Sequence, residues 1–375
     1  MKVGVDARLL SRPLTGIGRY TLEMCRALSK IPEISLCLYS PSSIPDEVRR
    51  SFPFAQLRTM KWENGLLRQF WSESYLPLWA KMDAVDVFWG PAHRLPRLLS
   101  KAIPRVVTIH DLVWKYAGET MRRPTYFLEK IQMPFAVRAA DLVVADSQAT
   151  ANAVKLEFEV DADNLMVVSL AANRIENAAC FDDLKEHGIN SSYFLFVGTL
   201  EPRKNLTRLL TAYSQLPKAV KLQASMVIAG GKGWGEFNLE DTIAKLDLAG
   251  YVGVLGYVDE STLTALYANA MFLAMPSLYE GFGLPLVEAM AHGTPVLTAN
   301  NSSMPEVAGD AGLLVDAEDI NSIKEGLSQL LTDKMLRNTL GINAKIQAKK
   351  FNWDESARQL ILAFNEAGSR RRNMG

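Results

Sequence analysis

Two glutamates, Glu280 and Glu288, bracket the string Glu280-Gly281-Phe282-Gly283-Leu284-Pro285-Leu286-Val287-Glu288. Carboxylates accept hydrogen bonds from vicinal hydroxyls, so one can hold a ribose and the other a sugar ring. The two glycines keep the turn flexible, and Pro285 stands where the first turn of a helix tolerates it. Free backbone N–H groups at Phe282, Gly283 and Leu284, with the positive end of the helix dipole, suit an anionic diphosphate. The plainer reading is a capped helix with acidic residues in its early turns. The single register of glycines, proline and both carboxylates favours the binding site.

Strand, glycine loop and helix must follow one another to place that string, and the chain supplies this pattern throughout. Short β-branched runs alternate with longer amphipathic stretches, which predicts parallel sheets covered by helices. The expected strands of the first half are 2–6, 34–39, 86–89, 105–109, 142–145 and 165–169, with helices over 17–30 and 148–157. The pattern lapses between Asn173 and Ser192 and restarts with strands at 193–197, 224–229, 251–255, 271–275, 295–298 and 312–315. Helices are expected at 206–215, 261–269, 284–291, 319–331 and 356–367, and the basic end at 369–372 reads as a frayed tail. The fold class is therefore α/β with two Rossmann-like domains. The first spans 1–172, with a C-terminal helix at about 355–370 packing back on it, and the second spans 173–354. Such sheets bind ligands at the carboxyl ends of their strands, so two of them facing across a cleft would share a ligand site.

The 375 residues carry 41 basic and 41 acidic side chains, an ordinary globular balance with room for two cores. No apolar run approaches the roughly 20 residues that cross a bilayer. The start, MKVGVDARLL, lacks the apolar centre of a signal peptide, and Cys25, Cys37 and Cys180 are scattered. A cytoplasmic protein without a disulfide framework is expected. Residues 1–175 hold 23 Lys and Arg against 18 Asp and Glu, and the remainder hold 18 against 23. Solvated surface is the plain reading of that imbalance; peripheral association with the inner face of a membrane is the functional one.

At Glu280 to Glu288 the sequence resembles the retaining GT-B glycosyltransferases of family 4, which share a Glu-x7-Glu pattern, and the resemblance spans nearly the whole chain. It implies that Glu280 meets the donor sugar, that the amides of Phe282 to Leu284 meet sugar and phosphates, and that Glu288 holds the ribose. It implies that Arg203 and Lys204, in Gly198-Thr199-Leu200-Glu201-Pro202-Arg203-Lys204-Asn205, neutralise the leaving diphosphate. Many relatives carry an arginine where Thr199 stands, which leaves the division of labour between the two cations open. Gly16, in Thr15-Gly16-Ile17-Gly18, matches the loop beside the donor phosphate, and His110, in Thr108-Ile109-His110-Asp111, matches the active-site histidine segment. Val258 lies in a second-half loop similar to those that contact the nucleotide, and Trp89, His93 and Arg94 are weaker acceptor candidates. The motifs VDARLL, TGIGRYT, TIHDL and GTLEPRKN are most similar to bacterial mannosyltransferases of lipopolysaccharide or capsule synthesis that use GDP-mannose. Neither cofactor nor metal is expected; the partners are the nucleotide sugar, bound by the second domain, and a glycan or lipid-linked glycan acceptor, bound by the first.

Other readings compete. Tyr126 and Lys130 form the Tyr-x3-Lys of short-chain dehydrogenases and nucleotide-sugar epimerases, but Thr21 replaces the third glycine of the dinucleotide fingerprint. Asp161-Ala162-Asp163 resembles the metal-holding pair of another glycosyltransferase fold, yet it falls in a polar turn. The four histidines, His93, His110, His187 and His292, are dispersed and indicate no metal site. A scaffold that has lost catalysis would show a broken donor site, and the glutamates, cations and His110 are all present.

Overall fold

The computed structural model describes residues 1–14, 16–62, 64–172, 181–234 and 238–373. They form two compact units, one comprising Met1–Trp114, Arg123–Leu170 and Asn352–Gly375, the other Lys115–Arg122 and Ala171–Phe351. The boundary expected after residue 172 abuts residues 173–180, Cys180 among them, which lie outside the described residues, as does Thr15. Inside the span 1–172, the segment Lys115–Arg122 groups with the second unit. There the Trp234 indole donates to the Thr120 carbonyl at 2.9 Å, and Arg122 lies over the Trp234 ring.

The first unit contains a parallel sheet of β1 (Lys2–Asp6), β2 (Ser35–Ser40), β3 (Gln56–Thr59), β4 (Val87–Gly90), β5 (Arg105–Ile109), β6 (Leu142–Ala145) and β7 (Leu165–Val167), in the order β3-β2-β1-β4-β5-β6-β7. Runs such as Val106-Val107 and Val143-Val144 are buried, as strands covered on both faces must be. The helix Gly16–Ser29 turns Tyr20, Met24, Cys25 and Leu28 into the core. The helix Trp353–Asn373 crosses the same sheet, with the Phe364 ring 6.2 Å from Trp89. The basic end is not frayed. Its last turns are helical, Arg371 pairs with Asp141 at 2.8 Å, and Arg370 bonds Asn164 and the Asp163 carbonyl. A cation near a helix C-terminus also meets the dipole favourably.

The second unit repeats the plan with β8 (Tyr193–Val197), β9 (Ser225–Ala229), β10 (Val252–Gly256), β11 (Leu273–Met275), β12 (Val296–Ala299) and β13 (Gly312–Val315), in the order β10-β9-β8-β11-β12-β13. Its core gathers Phe194, Phe196, Leu209, Tyr213, Phe272 and Leu327. Sequence order reverses between β1 and β4 in the first sheet and between β8 and β11 in the second. These are the switch points at whose carboxyl ends α/β sheets bind ligands. Among the described residues no helix is long and apolar enough to cross a membrane.

Candidate active site

The loops leaving β8 and β11 meet at the second switch point and bring the predicted charges together. Gly198 and Gly230 let the β8 and β9 ends close on one another, since a Cβ on Gly230 would fall 1.9 Å from the Gly198 carbonyl oxygen. Asn205 then locks the β8 loop, its amide donating to the carbonyls of Pro276 at 2.9 Å and Ala317 at 2.7 Å. The Leu278 N–H reaches the Arg203 carbonyl at 2.9 Å, so the backbone fixes Arg203 beside the β11 loop.

Within this frame Glu280 is the hub. Its carboxylate accepts from Arg203 Nη1 at 2.5 Å and from Lys204 Nζ at 2.7 Å, while Arg203 Nη2 also reaches Glu201 at 2.7 Å. Burial raises the cost of the Glu280 charge, but the two cations outweigh it and hold the carboxyl down to about 2. The Glu280 N–H is taken by Ser302 and its carbonyl accepts from Ser303. The sequence reading assigned Glu280 to the sugar and the cations to the diphosphate as separate parts. The fold joins them into one ion cluster, with Glu201, Asn205, Ser302 and Ser303 as supports that reading left without a role.

The glycine turn behaves as its composition predicts. Gly283 adopts φ +94° and caps the helix Leu284–Ala291, with Pro285 in the first turn. Among the described residues the N–H groups of Phe282, Gly283 and Leu284 donate to no protein acceptor, the ordinary condition of the first groups of a helix. The Phe282 side chain is buried against Phe351, so only its backbone is on offer. Glu288 is partly buried and accepts from the Tyr267 hydroxyl at 2.8 Å. Val258, partly exposed, immediately precedes Asp259, which caps the helix Glu260–Asn269.

In the first unit His110 ends β5 as expected, but both ring nitrogens are engaged. Nε2 lies 2.7 Å from the Pro91 carbonyl, which can only accept, so Nε2 carries a proton. Nδ1 lies 2.5 Å from Asp146. Burial disfavours the imidazolium, yet Asp146 and the Pro91 carbonyl outweigh it and raise the His110 pKa above the ordinary value. The backbone N–H of His110 donates to His93 Nε2 at 2.9 Å, which places the His93 proton on Nδ1, facing Glu129 at 3.2 Å. Asp146 went unassigned in the sequence, although it directly follows β6 just as His110 follows β5.

The weaker acceptor candidates need correction. Trp89 is fully buried, its indole N–H donates to Thr108 at 2.9 Å, and it packs edge-on to Tyr20. It is a core residue. His93 is also buried and supports His110, while Arg94 lies 3.7 Å from Glu129, the carboxylate that His93 also faces. Gly16 opens its helix, and a Cβ there would meet nothing within 4 Å, so the protein itself does not demand a glycine. Lys130 stacks over the Tyr126 ring one turn away, and Asp161 precedes, and Asp163 lies within, the turn before β7.

The sequence matches the families described as Glycosyl transferases group 1, over residues 182–347, and Glycosyltransferase Family 4, over residues 14–173. It is 32% identical to an O-antigen chain mannosyltransferase B of Escherichia coli, across 97% of this chain and 99% of that one. The chain belongs to the family 4 glycosyltransferases. The fold of this glycosyltransferase is GT-B. It aligns with sucrose-phosphate synthase from Thermosynechococcus elongatus at a TM-score of 0.76 and 19% identity, over 97% of this chain and 98% of that one. It aligns with WaaG, described as a glycosyltransferase involved in lipopolysaccharide biosynthesis, at 0.71 and 16% identity, over 96% and 98%. The dehydrogenase and epimerase alternative falls with this membership, and Tyr126 and Lys130 keep only their stacking.

Proposed function

We propose that this glycosyltransferase moves mannose from GDP-mannose to a glycan or lipid-linked glycan in bacterial cell-surface polysaccharide synthesis, with retention of configuration and without a metal. The observation that carries the choice of sugar is the nearly full-length similarity to the Escherichia coli mannosyltransferase. The second unit binds the donor, with Glu288 on the ribose and the amides of Phe282 to Leu284 on the diphosphate. Glu280 meets the mannose hydroxyls while keeping Arg203 and Lys204 in place. Those cations supply the positive charge that a metal supplies elsewhere, and they are set before the leaving diphosphate gains its charge.

Two features favour a front-face route. Glu280, ion-paired on both oxygens and held at about 2, is a poor nucleophile and a poor base. His110, with both nitrogens engaged, is not placed to accept a proton. The base in this reading is the diphosphate itself. As its bond to the mannose anomeric carbon breaks, one of its oxygens takes the acceptor hydroxyl proton, and the acceptor oxygen bonds the same carbon on the same face. The reaction runs in the cytoplasm, and its lipid-linked acceptor would bring the enzyme to the inner membrane face. A panel of GDP-, UDP-, ADP- and dTDP-sugars, with and without EDTA, tests the reading. Turnover of GDP-mannose that survives EDTA is expected, and failure to bind any nucleotide sugar would end it.

A further inference from the structure

Three cations of the first unit that line one pocket have no carboxylate partner among the described residues. The pocket holds about 440 Å³ and is lined by Ser11, Arg12, Ser42, Ser43, Lys61 and Arg68. It lies past the carboxyl ends of β1, β2 and β3, which supply Ser11 and Arg12, Ser42 and Ser43, and Lys61 respectively. Arg68 projects from the helix Gly65–Glu73.

The pocket is built rather than incidental. Arg68 is only 9% exposed, and it spends two donors on Ser42 Oγ at 3.1 Å and the Arg8 carbonyl at 3.2 Å. Ser42 passes its own proton to the Trp62 carbonyl at 2.7 Å, tying the loops after β2 and β3 together. Among the described residues the rest of the five N–H donors of Arg68 have no protein acceptor. Neighbouring Arg8 is compensated, since it pairs with Asp6 at 2.6 Å. Burial and the nearby Arg12 and Arg8 push Arg68 below the usual arginine range, and Asp6 counters this only in part. A guanidinium desolvated beside like charges destabilises the empty site, and a bound anion relieves it with charge-assisted hydrogen bonds.

We propose that this pocket binds a phosphate or diphosphate group carried by the acceptor, with Arg68, Arg12 and Lys61 as its cations and the serine hydroxyls as further donors. The inference rests on the proposed transfer from a donor in the second unit, and it adds that the first unit receives the acceptor. Sheet order puts β2 three strand spacings from β5, where His110 sits, a span of roughly 14 Å. A single sugar ring does not cover that span. The anion therefore belongs further along the acceptor than the sugar whose hydroxyl attacks. A lipid-linked diphosphate glycan and a free oligosaccharide phosphate both carry the required chemistry.

Calorimetric titration of inorganic pyrophosphate into the full chain, with GDP present to occupy the donor side, reads the pocket directly. Lys61→Gln and Arg12→Gln, both at exposed positions that leave the fold intact, should each weaken pyrophosphate about tenfold, the loss of one charge-assisted contact. Arg203→Ala, titrated with GDP raised until the donor side is saturated, should leave that affinity unchanged. Equal pyrophosphate affinity in parent, Lys61→Gln and Arg12→Gln would overturn the site whether or not any sugar is transferred. Transfer assays then compare one glycan presented on a lipid diphosphate, as the free phosphate and unphosphorylated. A lower KM for one or both phosphorylated forms, lost in Lys61→Gln, is expected and tells the two sources apart. Equal KM for all three would overturn the acceptor assignment even if pyrophosphate binds.

Discussion

Arg203 and Lys204 in the second unit reach Glu280 at 2.5 and 2.7 Å, whereas Arg12, Lys61 and Arg68 in the first unit pair with no carboxylate among the described residues. Both sets lie at carboxyl ends of strands in similar sheets, yet they solve different problems. The second set must stay rigid while charge grows on a leaving group, so a built-in carboxylate orients it and prevents collapse. Among the described residues the first set has no carboxylate, and its buried guanidinium, Arg68, favours an external anion. The fold alone distinguishes neither; the placement of one carboxylate does.

The comparison is broken most severely by removing a paired cation. Lys204→Ala should lower kcat by roughly 10²–10³-fold, the cost of losing one group aimed at developing charge, read in steady-state transfer assays. Glu280→Gln leaves the buried Lys204 without its carboxylate and Arg203 with Glu201 alone, and should cost about 3 kcal/mol in urea unfolding. Its pH dependence checks the cause. Because the folded carboxyl is held near 2, below its ordinary 4.5, its contribution is full above that ordinary value and is lost as pH falls toward the folded one. The Gln variant should therefore show a flatter decline of stability across that acid window.

Smaller effects sharpen the contrast. Glu288→Ala should weaken GDP binding about tenfold, while His110→Ala, which unties Asp146 from the Pro91 loop, should slow transfer and leave GDP affinity near the parent's. A histidine variant that transfers at the parent rate would remove His110 from the mechanism. Least of all, Trp89→Phe should cost about 1 kcal/mol, from its lost bond to Thr108, with acceptor KM unchanged. A raised KM would restore Trp89 to the acceptor site.

The architecture was legible because buried parallel strands are short apolar runs: β1, β5, β6, β8 and β13 coincide residue for residue with the expected spans. What escaped was marginal by the same criterion. β3 is a four-residue edge strand, Gln-Leu-Arg-Thr, with little apolar content. The helix Arg123–Ala139 carries Pro134 in its interior, and Gly65–Glu73 leaves Leu66 and Phe70 exposed, which blurs its periodicity. In the donor site the reacting types were readable, since strand-end glycines, cations and carboxylates stand in one string. Their pairing was not, because the contact between Arg203 and Glu280 spans 77 positions of sequence. Trp89 misled because a strand-end residue can point inward as readily as outward, and only the neighbouring Thr108 and Tyr20 decide which.

Calorimetric titration of GDP-mannose, GDP and guanosine into the parent and into Arg203→Ala and Lys204→Ala tests the central claim most directly. The parent should bind GDP-mannose and GDP far more tightly than guanosine, and each variant should lose most of that difference while guanosine binds as before. Equal affinity of the parent for all three, or variants that keep the parent's preference, would contradict a donor site built on Arg203, Lys204 and Glu280.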